Sequence, residues 1–395
     1  MKHRTSHIIF AIIATPLLLI VCYCFNNHPY PFGEQTSTLT IIDVAIQQLH
    51  KTPIDIDNAL FINTGYDLSL VETKHGKETI TDRSLLLELL SNIHEDGRYR
   101  FVFMDIRLEE GFTTESDTAL VRQIIKMGDK ILLARHWNYK QKCDFPLIDT
   151  VLLSRSAYCD YSSSVFNTAF DRFQYIQSNG VSAPLVMYQL LDSGTIKRHS
   201  LLGIPLFYTD NGVLCHNSQF INIPESFSGT RFRPSGRPRF WNLSEDFYGP
   251  DAVFDKQDLM NLCKDKIIII GNFVDDVHDT YLGKQPGAYL HYLAYSNLTK
   301  GRHLLPWWYV CFLAIIIGLT FFEIAEQKKL ISSIPLIKKA KQKWLSFIIS
   351  LLSYTTLLSL VSYLSYCIFQ KTVGIFIPVL VFTVCDMIFK YKNYE

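Results

Sequence analysis

With 395 residues, 48% hydrophobic and 19% charged, the chain is long enough for a globular domain plus several membrane spans. A mean hydropathy above zero favours that mixture over a wholly soluble protein. The formal net charge of +1 and the lack of a basic stripe give no reason to invoke nucleic acid.

The first apolar run, Ile8 to Phe25, is headed by Lys2 and Arg4 and is long enough to span a bilayer. No small-residue cleavage site follows Val21, so it reads as a retained anchor rather than a signal peptide. Beyond it, Leu39 to His50 has helical spacing with Thr38 as N-cap, and Leu60 to Ile62 is a strand. Arg83 to Ile93 is a helix capped by Asp82, Arg100 to Ile106 a strand, Glu115 to Met127 a helix stopped at Gly128, and Lys130 to Ala134 a strand. This alternation predicts an α/β fold: a mostly parallel mixed sheet flanked by helices. The middle, Asn138 to Asp265, is less periodic. It offers a helix at Pro184 to Leu191 and strands at Leu201 to Tyr208 and Phe220 to Ile223. The loop from Ser228 to Arg239 carries Arg231, Arg233, Arg237 and Arg239, facing an anion, solvent or acidic lipid headgroups.

The stretch Ile267 to Ile270 reads as a strand buried on both faces. It leaves the sheet at Gly271 and opens a loop dense in ionisable groups, Asp275 to Thr280, before a helix at Gly287 to Leu298. Ligands of open α/β sheets bind beyond the carboxyl ends of the strands. Asp105 interrupts an apolar strand at that end, and Asp117 heads the next helix. Asp105, Asp117, Asp276, His278 and Asp279 can converge on a divalent cation, or equally on an amine or a sugar. The alternative is that these aspartates cap helices and tie loops. His291 is either a packed helix residue or a pH-sensitive ligand group.

Three further apolar runs, Trp307 to Phe322, Leu345 to Phe369 and Val373 to Phe389, close the chain. Basic residues are retained on the cytoplasmic side. The lysine-rich loop 323–344 and both termini therefore point inward. The expected organisation is a cytoplasmic N-terminus and first span over 1–25, an extracytoplasmic domain over 26–305, and three spans over 306–395, in the inner membrane. Asp386, four residues before Lys390, reads as a helical ion pair or a proton-coupled group. Hydroxyl residues from Ser346 to Ser362 lie near one side of the third span, as in closely packed membrane helices. Of nine cysteines, none has the spacing of a zinc site. In an exported domain a Cys143–Cys159 disulfide is the favoured pairing, with buried free thiols the alternative.

Gly271, Asp276-Val277-His278, Thr280, Gly283, Pro286-Gly287, His291 and Gly301-Arg302, just before a membrane segment, together resemble the end of a CHASE2 sensor domain. Weaker matches at Ile42-Asp43, Leu60 to Ile62, Arg83, Phe103 to Ile106 and Asp117 extend the likeness over roughly residues 40 to 390. Asn63-Thr64-Gly65 stands where that family usually has an acidic pair, and Tyr281 where it has Pro. The resemblance implies an extracytoplasmic bacterial sensory module, with ligand contacts at Asp105, Asp117, Asp276, His278, Thr280 and His291. The expected function is binding of a small signal and its relay across the lipid bilayer to a separate cytoplasmic partner, since the given chain ends at Glu395. Dimerisation is expected by analogy with receptors. No cofactor is expected, and no catalytic motif points to an enzyme. The alternatives are a membrane-anchored metal-dependent hydrolase using the acidic loop and His278, and a structural membrane protein with a vestigial sensor.

Overall fold

The four isoleucines Ile267 to Ile270 are each at most 1% exposed, and the chain is built around them. In the computed structural model, residues 2–27, 57–74, 76–138, 140–160, 172–221, 240–250, 252–326 and 343–392 are described, with isolated positions 45, 46, 49 and 223. Six strands form the central sheet: β1 (Ala59–Asn63), β2 (Phe101–Asp105), β3 (Ile131–Arg135), β4 (Ser156–Tyr158), β5 (Phe240–Asn242) and β6 (Ile267–Gly271). Their spatial order is β5-β1-β6-β2-β3-β4, and every neighbouring pair is parallel. The expected mixed character is absent among the described residues of this sheet; antiparallel strand pairing occurs in separate sheets of two or three strands.

Because side chains alternate along a strand, β6 sends Ile267 and Ile269 to one face and Ile268 and Ile270 to the other. The first face is covered by α4 (Ala183–Asp192) and α6 (Gly287–Thr299). The second is covered by α2 (Arg83–Asp96), α3 (Asp117–Met127) and α5 (Lys256–Cys263). Local chemistry fixes these helices. Asp82 accepts from the amides of Ser84 and Leu85 at the start of α2, Gly97 closes it at φ 68°, and Asp255 with Asp258 forms a capping box on α5.

Three helices are long and apolar enough to cross a membrane: Arg4–Asn27 within α1 (Lys2–Asn27), α7 (Trp307–Glu326), and Trp344–Phe369 within α8 (Lys343–Phe369). The last helix, α9 (Phe376–Lys392), has 17 residues and packs with the other three around Phe321, Leu358 and Phe382. Asp386 on α9 binds both Lys390 and Ser350, the local ion-pair reading. The hydroxyl stripe is only partly a packing seam. Of its residues Ser350 and Ser362 are buried, whereas the Thr356 hydroxyl donates to the carbonyl of Leu352 on its own helix.

The expected strand over Leu201 to Tyr208 is instead a hairpin, Ile196–Leu201 with Ile204–Asp210. Leu202 and Gly203 both take positive φ and reverse the chain there. None of the nine cysteines is in a disulfide, so the Cys143–Cys159 pairing does not form; Cys143 is exposed on its hairpin and Cys159 is buried. Apart from positions 45, 46 and 49, the helix expected over Leu39 to His50 lies outside the described residues, as do the arginine-rich loop and most of the lysine-rich loop.

Candidate functional site

Strands β2 and β6 pair in register, which sets Asp105 beside Gly271 at the carboxyl edge of the sheet. A Cβ at Gly271 would lie 2.9 Å from that of Ala288, so α6 can press onto the strand ends only over a glycine. The Asp105 side chain is 6% exposed, and its Oδ2 has no hydrogen-bond partner among the described residues. From α6, His291 brings Nε2 to 3.9 Å from that oxygen, its ring edge-on to Phe103 and Phe173. Cys159 follows β4. Ligand atoms of Asp105, Cys159 and His291 all lie within 4.8 Å of one another.

After β6 the loop brings Asp276 Oδ1 to 3.4 Å from His278 Nε2. Both groups crowd the start of α6. A Cβ at Gly287 would come within 2.8 Å of Asp276 Oδ2 and 3.0 Å of His278 Nε2. On the other flank, past β3, His136 Nδ1 faces Asp160 Oδ1 at 3.3 Å, and the Trp137 amide donates to Asp160 Oδ2 at 2.7 Å. Asp276, His136 and Asp160 border a cleft of about 650 Å³, which Asp105 lines with Glu78 and Asp275. The positive groups facing it are His136 and Arg107, and Arg107 is already forked onto Glu109 at 3.0 and 3.1 Å. A concave site with that surplus of carboxylates attracts cations.

Protonation follows from burial and from these neighbours. Asp105 is pushed up to about 7, by burial first and by the negative charge of Asp276 second. Asp276 is the opposite case. Burial works to raise its pKa, but the hydrogen bond and charge of His278, with His291 and His136 behind it, hold it below the usual carboxylate range. Burial lowers His291 to about 3, leaving a neutral imidazole at physiological pH. Burial also opposes protonation of His136, yet Asp160 and Asp105 outweigh it and raise its pKa. The cleft therefore pairs a proton-retaining carboxyl with an ionised one.

The structure brings together Asp105, Asp276, His278 and His291 from the sequence-based set. It does not bring Asp117 or Thr280 to them. Asp117 Oδ1 binds the buried guanidinium of Arg83 at 2.7 Å and the hydroxyl of Thr114 at 2.6 Å, tying α3 to α2. The Thr280 hydroxyl donates to the carbonyl of Gly283 and accepts from the amide of Leu282, closing a hairpin turn. Asp279 is exposed on the same hairpin. Two further cleft residues, His136 and Asp160, and Cys159 behind Asp105 escaped sequence reasoning. His136 ends a recognisable strand and was accessible to the carboxyl-edge argument, whereas β4 has only three residues and no readable pattern. Asn63 has a framework role. It accepts from the amides of Gly65 and Phe273 and donates to Asn242, tying the ends of β1, β5 and β6 together.

Comparison with protein-family models, with curated proteins and with solved structures finds no match.

Proposed function

We propose that this chain is a membrane-anchored receptor module of the CHASE2 kind, whose α/β domain lies outside the cytoplasm and takes a small, positively charged ligand in the acidic cleft. The observation that carries this reading is the buried, unpartnered Oδ2 of Asp105 at the floor of a cleft edged by Asp276, Asp275 and Asp160. A buried polar atom without a partner costs free energy that a ligand ammonium or cation can recover. Three long apolar helices support a multi-pass protein. In our reading α9 is a fourth span, and the distribution of lysines puts both termini and the loop 327–342 in the cytoplasm.

Relay runs through α6. Its first residue meets Asp276 and His278, His291 lies in the site, and every residue from Gly287 to Leu298 is buried, so the helix acts as a strut about 20 Å long. Past its end, the carbonyls of Gly301 and Arg302 accept from Lys371 Nζ in the turn between α8 and α9. A ligand transmits only if it favours one placement of this strut over another, and a separate cytoplasmic protein then reads the bundle. The test is thermal unfolding of the full chain in detergent micelles against a panel of small amines and divalent cations. A ligand present at about 100 times its Kd adds about 2.7 kcal/mol of stability, and Asp276→Ala removes that gain. Equal stabilisation of the variant by the same compounds would place the binding site elsewhere.

A second reading, a membrane-anchored metal-dependent hydrolase, is favoured by the carboxylate, thiol and imidazole of Asp105, Cys159 and His291. This donor set suits zinc, with Asp105 the member that also lines the cleft. Bound there, a metal would supply an activated water. Zinc uptake at one equivalent, with a zinc-dependent hydrolysis lost in Asp105→Ala and Cys159→Ala, would favour this reading over the receptor.

A further inference from the structure

Where the α/β domain meets the bundle, two half-buried cations have no acidic partner among the described residues. Arg302 NH1 donates to the Asn297 side-chain oxygen at 3.0 Å, and Lys371 Nζ donates only to backbone carbonyls, at 2.9 and 2.7 Å. Among the described residues neither forms a salt bridge, and both line a small polar pocket with His216, Tyr309 and Tyr366. Burial and the neighbouring Arg302 push Lys371 down to about 8. Two like charges held partly out of water repel each other, and an anion joining them relieves that cost.

The polar pocket adjoins an apolar fissure of about 430 Å³, and His216, Leu305, Tyr309 and Gly374 line both. The fissure's other walls are α1 at Leu19 and Tyr23, α7 at Leu313 and Ile317, and the hairpin at Leu206 and Phe207. That hairpin exposes Leu201 (61%), Leu202 (94%) and Ile204 (65%) beside the bundle, and its Tyr208 amide is anchored by the hydroxyl of Tyr23 at 2.9 Å. An exposed apolar edge at the end of membrane helices belongs in lipid. The fissure thus opens toward acyl chains, and its polar end offers two cations at headgroup level.

We propose that this junction binds one anionic phospholipid from the leaflet facing the α/β domain, its phosphate on Arg302 and Lys371 and one acyl chain in the fissure between α1, α7 and the hairpin. The contact touches the same carbonyls of Gly301 and Arg302 that end the α6 strut. It stands independently of the cleft, since none of its residues lines that site.

The test uses the full chain in neutral detergent micelles and a fluorescent short-chain phosphatidylglycerol, displaced in turn by unlabelled phosphatidylglycerol, phosphatidylcholine or inorganic phosphate. The expected result is displacement by phosphatidylglycerol at least tenfold more effective than by phosphatidylcholine, with no displacement by inorganic phosphate. Lys371→Gln removes a charge-assisted contact and should weaken binding about 10- to 100-fold. Leu313→Trp fills the fissure without touching a charge and should weaken it as well, which guards against a Lys371 variant that merely loosens the junction. Equal displacement by the zwitterionic lipid, or full displacement by inorganic phosphate, overturns the proposal. So does Leu313→Trp binding the probe as the parent chain does.

Discussion

Replacing Asp105 with Asn keeps the shape of the side chain and removes its ability to ionise at the cleft floor. A carboxyl raised from 3.8 to about 7 by burial and by Asp276 withholds about 4 kcal/mol from the folded state once both folded and unfolded forms are ionised. The sign follows from proton counts. Between pH 3.8 and about 7 the folded chain holds the Asp105 proton and the unfolded chain does not, so this group makes stability fall as pH rises. His291, lowered to about 3 by burial, has the opposite slope: only the unfolded chain is protonated between about 3 and 6.5, so its contribution makes stability rise with pH. In the parent chain the two slopes offset each other across the acid range. In Asp105→Asn the His291 slope is exposed. The stability difference between variant and parent should be near zero at pH 4, grow by about 1.4 kcal/mol per pH unit, and level off above pH 7 at about 4 kcal/mol in favour of the variant. Thermal unfolding of the full chain in micelles from pH 4 to pH 9, followed by tryptophan fluorescence, reads this as a melting-temperature gap of roughly 5 °C at pH 8. Parallel pH curves for the two proteins would refute a buried, proton-retaining Asp105. The same variant should lose cleft ligands, so stability and binding should move in opposite directions.

Asp117→Asn leaves the Arg83 guanidinium, whose side chain is 1% exposed, without its counter-charge and should cost about 3 kcal/mol of stability while cleft ligands still bind; loss of binding with unchanged stability would return Asp117 to the site. Gly287→Ala puts a methyl group 2.8 Å from Asp276 Oδ2, and should reduce ligand-induced stabilisation while circular dichroism stays that of the parent chain. With no disulfide present, a reducing agent should leave the melting temperature unchanged. In the folded chain maleimide should modify exposed Cys143 and spare Cys159, whose thiol burial pushes well above its usual range. A reductant-sensitive melting curve would contradict this.

The sheet's centre was legible because its strands are long and apolar: Ile267 to Ile270 and Phe101 to Met104 have no other stable place than a two-sided core. Helices with strong punctuation, Asp82 before α2 and Gly128 after α3, were equally readable. The outer strands β4 and β5 were not. Three residues carry no period, and pairing with a stronger neighbour rather than local propensity makes them strands. The same contrast governs the site. Asp105 ends β2 and Asp276 follows β6, two central buried strands, and both were found by position, while Asp160 depends on β4 and was missed. Asp117 misled because an aspartate at a helix start looks alike whether it serves a ligand or a neighbouring arginine; only Arg83, distant in sequence, decides which.

The central claim is that occupation of the acidic cleft is felt at the membrane junction through α6. Amide hydrogen exchange on the full chain, with and without the amine or divalent cation giving the largest thermal shift, tests it most directly. The account predicts slowed exchange both at 272–291, around the cleft, and at 297–305, where Lys371 holds the end of the strut. Protection confined to the cleft, with exchange at 297–305 unchanged, would contradict it.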